Sequence, residues 1–130
     1  MTEEQVRAWF DQYLDTFADL VSGARDDRRA IGRLYRAPLT MTTDDVVMTL
    51  SSEDDVTSVF GAQIDAMREA GFARAVPIET DVQVLNANTA RYTALFARQR
   101  ADGSEIERLR ATYLIVDDDG MRIATVAVHS

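Results

Sequence analysis

Two Asp-Gly pairs punctuate the last third of this 130-residue chain and constrain it more than any other feature. They lie in Ala101-Asp102-Gly103-Ser104 and Asp117-Asp118-Asp119-Gly120, and the residues around them, Thr89 to His129, alternate with a period of two. A tight hairpin turn needs positive φ at its centre, which Asp and Gly tolerate. The stretch therefore reads as three antiparallel strands. A two-residue turn at Asp102-Gly103 sets the register: Phe96 opposite Leu109, Ala94 opposite Ala111, Tyr92 opposite Tyr113. Strict alternation after the second turn continues this apolar face through Ala124, Val126 and Val128. The other face then carries Arg91, Thr93, Leu95, Ala97, Arg110, Thr112, Leu114, Ile123, Thr125, Ala127 and His129. That face is too polar for a core and too apolar for plain solvent, a mixture that suits a subunit interface.

Upstream, Thr2 and Gln5 form a capping-box pair ahead of an apolar stripe of Val6, Phe10, Tyr13, Leu14, Phe17, Leu20 and Val21, widened by Trp9. Gly23 is the expected stop. A second helix is expected from Asp26 to Tyr35, with Arg25, Arg28, Arg29 and Arg33 outward and Pro38 beyond its end. Those arginines read as a solvated face or as a phosphate patch. Leu39–Thr43 and Val46–Leu50 form two short strands around Asp44-Asp45. Ser51 or Ser52 caps a third helix with a stripe of Val56, Val59, Phe60, Ile64 and Met67, closed by Gly71. A strand from Ile78 to Val84 follows, and Asn86-Ala87-Asn88 turns it into the final sheet.

The order is α-α-β-β-α-β-β-β-β, an α+β layout in one domain spanning residues 1–130, with the helices gathered on one face of a mainly antiparallel sheet. Hydrophobic residues make up 46% of the chain, enough for a globular core. A net charge of −8 opposes general affinity for nucleic acid or an anionic membrane. Neither a signal-peptide pattern nor an apolar run of membrane-spanning length is present, so a cytoplasmic location is expected. All 14 basic residues are arginine, which excludes lysine Schiff-base chemistry and suits a GC-rich bacterial genome.

The chain resembles the nuclear-transport-factor-2-like superfamily, which includes ketosteroid isomerase and the SnoaL-like polyketide cyclases. The matching features run through nearly the whole sequence. They are Trp9-Phe10-Asp11-Gln12-Tyr13, the Leu34-Tyr35 ending of the second helix, the strand-turn-strand region Arg91–Glu107, and Thr112-Tyr113-Leu114-Ile115 followed by Gly120-Met121-Arg122-Ile123 and a terminal histidine. The resemblance implies a cone-shaped half-barrel, with helices around a pocket on the concave side of the sheet and a homodimer through the convex side. In the isomerases a tyrosine on the first helix, an aspartate near the first strand and a protonated aspartic acid on a late strand carry the reaction. The matching positions here are Tyr13, Thr43 with Asp44 adjacent, and Ala111. The late acid is therefore missing, and with it an oxyanion donor of the kind typically worth ~2.7–4 kcal/mol.

The expected pocket residues are Trp9, Tyr13, Phe17, Tyr35, Phe60, Tyr92, Phe96, Ala111 and Tyr113. The expected interface residues are Arg91, Thr93, Leu95, Arg110, Thr112, Leu114, Ile123 and Thr125. Tyr13 and Asp44 are the catalytic candidates, although Asp44-Asp45 reads more readily as a turn than as a base. One histidine, His129, and no cysteine give no zinc set, and Asp117-Asp118-Asp119-Gly120 lacks the spacing and distal glutamate of a calcium loop. No phosphate loop, GxSxG or HExxH is present, so neither metal nor cofactor is expected. Three functions are consistent with these residues: a non-catalytic pocket for a hydrophobic small molecule, a SnoaL-like enzyme performing isomerase-, cyclase- or dehydratase-type proton transfer, and an interaction module whose cavity is filled by its own side chains.

Overall fold

The computed structural model describes Met1–Ser130. Its elements are α1 (Glu3–Ser22), α2 (Arg29–Gly32), β1 (Tyr35–Thr42), β2 (Val47–Leu50), α3 (Glu53–Ala70), β3 (Phe72–Asn86), β4 (Thr89–Arg100), β5 (Glu105–Asp117) and β6 (Met121–His129). The six strands form one sheet in the order β2-β1-β6-β5-β4-β3. Only the β1–β6 pair is parallel. The helices pack on the concave side of the curved sheet, the α+β half-barrel the element order implied. No helix is long and apolar enough to cross a membrane.

The first helix forms as its pattern dictates. Thr2 and Gln5 cap it reciprocally, and Gly23 closes it in the left-handed conformation at φ 86°. Its stripe drives Phe10 onto the sheet, where the ring stacks on Tyr92 at 3.8 Å and meets Tyr113 edge-on at 4.8 Å. Ser52 rather than Ser51 caps α3, by accepting from the Asp55 amide. Both helix ends are then clasped by arginines from elsewhere. Arg68 donates to the Leu20 and Val21 carbonyls at the end of α1 (2.8 and 2.9 Å), and Arg100 donates to the Ala70 carbonyl at the end of α3 (2.9 Å). The last carbonyls of a helix have no partner within it, so a cation placed there satisfies them and complements the dipole.

Four expectations need correction. The second helix is four residues long rather than ten, and Tyr35 begins β1 instead of ending a helix. The Asp27 side chain accepts from the Arg29 amide, and the Leu34 carbonyl accepts from the Ile123 amide (2.9 Å), which draws the chain into the sheet. Pro38, expected beyond the helix, lies inside β1, where the register with β6 breaks between Tyr35 and Thr40. A proline has no N–H to give a ladder.

The third correction concerns β3, which starts at Phe72, directly after Gly71, and is 15 residues long. Irregularities between Phe72 and Arg74 and between Pro77 and Glu79 reset the alternation, so only the regular part after Ile78 carried a clean signal.

The fourth is the position of Ile123, expected on the convex face but fully buried at 0% exposure. The β5–β6 ladder pairs Ile115 with Ile123 and then Leu114 with Thr125. Ala124 is the extra residue of a bulge, which reverses inside and outside for everything before it. Thr125, Val126, Ala127 and Val128 keep the sides expected of them.

The β4–β5 register is as expected: Tyr92 opposite Tyr113, Ala94 opposite Ala111, Phe96 opposite Leu109. The turn that produces it is different. Gly103 donates to the Arg100 carbonyl and Arg100 to the Ser104 carbonyl, closing a three-residue loop with Gly103 at φ 88°. A register shift between Arg98 and Gln99 then restores the pairing a two-residue turn would have set.

Candidate functional site

A cleft opens on the concave side between α1, α3 and the sheet. It consists of two adjoining hollows with volumes of about 30 Å³ and 50 Å³. Leu14, Phe17, Ala75 and Phe96 line the first, and Tyr35, Met41, Phe60, Leu109, Val126 and Val128 line the second. Tyr13, Gln63, Arg98 and Tyr113 border both. At roughly 10–15 Å³ per enclosed water, the hollows hold on the order of two to three and three to five waters. A compact ligand fits that scale; a steroid ring system does not.

Six of the nine expected pocket residues reach this cleft: Tyr13, Phe17, Tyr35, Phe60, Phe96 and Tyr113. Three do not. Tyr92 is covered by the Phe10 ring stacked on it. Trp9 is half-buried against the core, its ring stacked on Tyr13 at 6.1 Å, and it borders neither hollow. Ala111 is fully buried in the core cluster and is too short to reach the opening. Asp44 is exposed in the turn between β1 and β2, where the Thr43 hydroxyl accepts from the Asp45 and Val46 amides. It takes no part in the cleft.

The polar tips of the cleft are unusual in kind. Tyr13 and Tyr35 hydrogen-bond to each other through their hydroxyls. Burial raises the Tyr13 phenol above the ordinary value, against the opposing effects of the bond from Tyr35 and the Arg98 charge. Burial likewise pushes Tyr35 and Tyr113 well above it, with the neighbouring Tyr13 adding to both and Arg98 counteracting. Each of these hydroxyls therefore keeps its proton at neutral pH and serves as a donor.

Arg98 and Gln63 are the site residues the sequence reading passed over. Arg98 has the parity of Tyr92, Ala94 and Phe96, so one more step of the alternation places it on the concave face. Gln63 lies three residues after Phe60 and four before Met67, on the buried stripe of α3. The Arg98 side chain is only 14% exposed. Its guanidinium lies over the Phe17 ring at 5.9 Å, and its Nη1 donates to Glu107 at 2.8 Å and to the Met67 sulfur at 3.7 Å.

The convex face is a separate polar ladder. Thr93 and Thr112 share a hydrogen bond of 2.9 Å, and Thr112 continues to His129 Nε2 at 2.8 Å. Arg91 pairs with Asp81 at 2.6 Å and Arg110 with Glu79 at 3.4 Å. Leu95, Leu114 and Thr125 lie among them, half-buried. The arginines around α2 are paired too: Arg28 with Asp65, Arg29 with Asp54 and Arg33 with Asp27. In the last turn Asp117 accepts from the Gly120 amide and Asp118 pairs with Arg36.

A cone of three helices on a curved six-stranded sheet, with an apolar cleft inside, defines the nuclear-transport-factor-2-like class of α+β domains. The chain belongs to the NTF2-like family DUF6841, whose sequence profile matches residues 3–130. Among solved structures it resembles the yeast Ubp3-associated protein Bre5 (TM-score 0.70, 13% identity, covering 99% of this chain and 96% of that one). It also resembles an NTF2-like protein of Shewanella oneidensis (TM-score 0.67, 14% identity, 93% and 96% covered) and a candidate ketosteroid isomerase of Shewanella frigidimarina (TM-score 0.59, 16% identity, 86% of each). At these identities the likeness is one of fold. No curated protein matches the chain.

Proposed function

We propose that this chain is a non-catalytic binding protein that holds a compact, largely apolar small molecule in its concave cleft and works as a homodimer through its convex sheet face. The observation that carries this reading is the cleft lining: an apolar wall with a few convergent polar tips, the usual make-up of a small-molecule site. Proton transfer at carbon needs a base whose pKa lies near the operating pH. The titratable groups of this lining are an arginine and tyrosines raised above their ordinary value, and neither accepts a proton at neutral pH. The displaced Asp44 and the alanine at 111 point the same way. The dimer is supported by the convex face, where Leu95, Leu114 and the threonine ladder form a mixed surface of the kind found between subunits.

The test is a fragment screen followed by amide NMR. Ligands should shift the backbone signals of Gln63, Arg98 and Tyr113 together and leave Asp44 unmoved. A fragment library that perturbs none of the three, or turnover of a carbon acid abolished by Asp44→Asn, would overturn the reading.

A further inference from the structure

The cleft holds more hydrogen-bond donors than the protein itself uses. Of the five N–H groups of Arg98, the two on Nη1 face Glu107 and the Met67 sulfur, whereas Nε and Nη2 have no partner in the chain. Nε and Nη2 form the side edge of a guanidinium, whose two parallel N–H bonds match the two oxygens of a carboxylate. Neither nitrogen is sealed within protein, since the only buried side-chain polar atom lacking a partner is the Thr57 hydroxyl. The Gln63 amide and the Tyr113 hydroxyl border the same two hollows, and they too make no hydrogen bond within the chain. The Tyr13–Tyr35 pair uses one hydroxyl proton and leaves the other available. Four side chains with unused donors thus border one apolar cleft whose lining contains no carboxylate.

We propose that the ligand of this cleft is a compact monocarboxylic acid. Its carboxylate is held by the Nε–Nη2 edge of Arg98 with help from Gln63 and Tyr113, and its apolar body packs against Phe17, Phe96 or Phe60. This assignment rests on the reading of the cleft as a binding site. Donors alone would also suit a neutral carbonyl, but the Arg98 charge is largely screened from water by its burial and favours an anion over a neutral group of equal shape. Glu107 is the built-in competitor: at the rim, and 44% exposed, it neutralises Arg98 when the cleft holds no anion. Acid binding therefore works against this ion pair.

Calorimetric titration with matched probes tests the assignment: benzoate against benzamide, and phenylacetate against phenylacetamide. The acids should bind at least about tenfold more tightly than the amides, a difference equal to about 1.4 kcal/mol. Arg98→Gln should remove this preference by weakening the acids far more than the amides. Glu107→Gln should strengthen the acids several-fold. Gln63→Leu and Tyr113→Phe, which leave Arg98 in place, should each weaken the acids, and the amides too through their shared carbonyl oxygen, so that the acid preference persists. Should Arg98→Gln not fold, the Glu107 and Gln63 variants decide. Equal binding of acid and amide to the parent, or acid binding unchanged in both Glu107→Gln and Gln63→Leu, would overturn the carboxylate assignment and leave the pocket reading standing. If neither acids nor amides bind, and fragments do not either, both fall.

Discussion

Tyr13 of α1 and Tyr35 at the start of β1 join hydroxyl to hydroxyl in the lining of the cleft, 22 residues apart in sequence. With Tyr113 they form a buried phenol group whose protons are held above the ordinary value of 10.0. In the unfolded chain each phenol ionises near pH 10. Above that pH the unfolded state binds fewer protons than the folded one, so stability falls as pH rises. Below pH 10 these groups contribute no pH dependence. Urea midpoints measured from pH 9 upward should therefore be level at first and then decline, and phenolate absorbance should appear with unfolding rather than before it. Tyr35→Phe should make the decline shallower. Complete tyrosine ionisation in a chain that remains folded would contradict this.

The contact between α2 and α3 leaves no room for a methyl group at Gly32. A Cβ there would collide with the Thr57 hydroxyl and lie 3.4 Å from the Glu53 carbonyl oxygen. Gly32→Ala should cost about 1–3 kcal/mol, as overpacking usually does. Thr57→Ala removes a buried hydroxyl that has no partner, so it should be close to neutral. The double variant should recover most of the stability lost in Gly32→Ala, a strong departure from additivity measurable by urea denaturation.

Arg68 couples the ends of two helices. Its fork bridges two carbonyls, a geometry a lysine does not reproduce. Arg68→Met should lower stability by about 1–2 kcal/mol, the usual range for hydrogen bonds to a charged group reduced for partial exposure. Arg68→Lys should recover less than half of the loss. Hydrogen exchange should show the last turn of α1 opening first in the methionine variant.

Leu114 lies near the middle of the convex face, paired across the ladders with Arg91 and Thr125. Leu114→Arg should convert the expected dimer to a monomer in light scattering, with the cleft and its ligand binding unchanged. A parent that is already monomeric, or a variant that remains dimeric, would remove this face as the interface.

Much of this architecture was legible because one local rule sufficed for each part. Thr2, Gln5 and Gly23 bound α1, and the stripe from Val6 to Val21 orients it. The β4–β5 register also came out as expected, although a three-residue loop and a compensating shift at Gln99 produce it. The rest depended on irregularity that alternation does not encode. Ile123 moved inside because Ala124 is an extra residue, and Tyr35 became a strand residue because Ile123 captures the Leu34 carbonyl. At the site, the aromatic residues announced themselves by composition. Arg98 did not, because a charged residue in a strand reads as outward until the parity is followed one step beyond Phe96.

The bulge at Ala124 has a consequence for how this chain tolerates change in length. Downstream of it, Val126 and Val128 line the cleft while Thr125, Ala127 and His129 line the convex face. Deleting that one small residue would leave Ile123 opposite Ile115 and Thr125 opposite Leu114 in unbroken alternation, so both halves of β6 keep their sides. If Ala124 instead took a regular place in the ladder while Ile123 stayed opposite Ile115, a threonine and a histidine would turn toward the cleft and two valines toward the convex face. The cleft lining and the convex face are thus set together by one unpaired alanine, the place in β6 where a residue can be lost without turning the strand over.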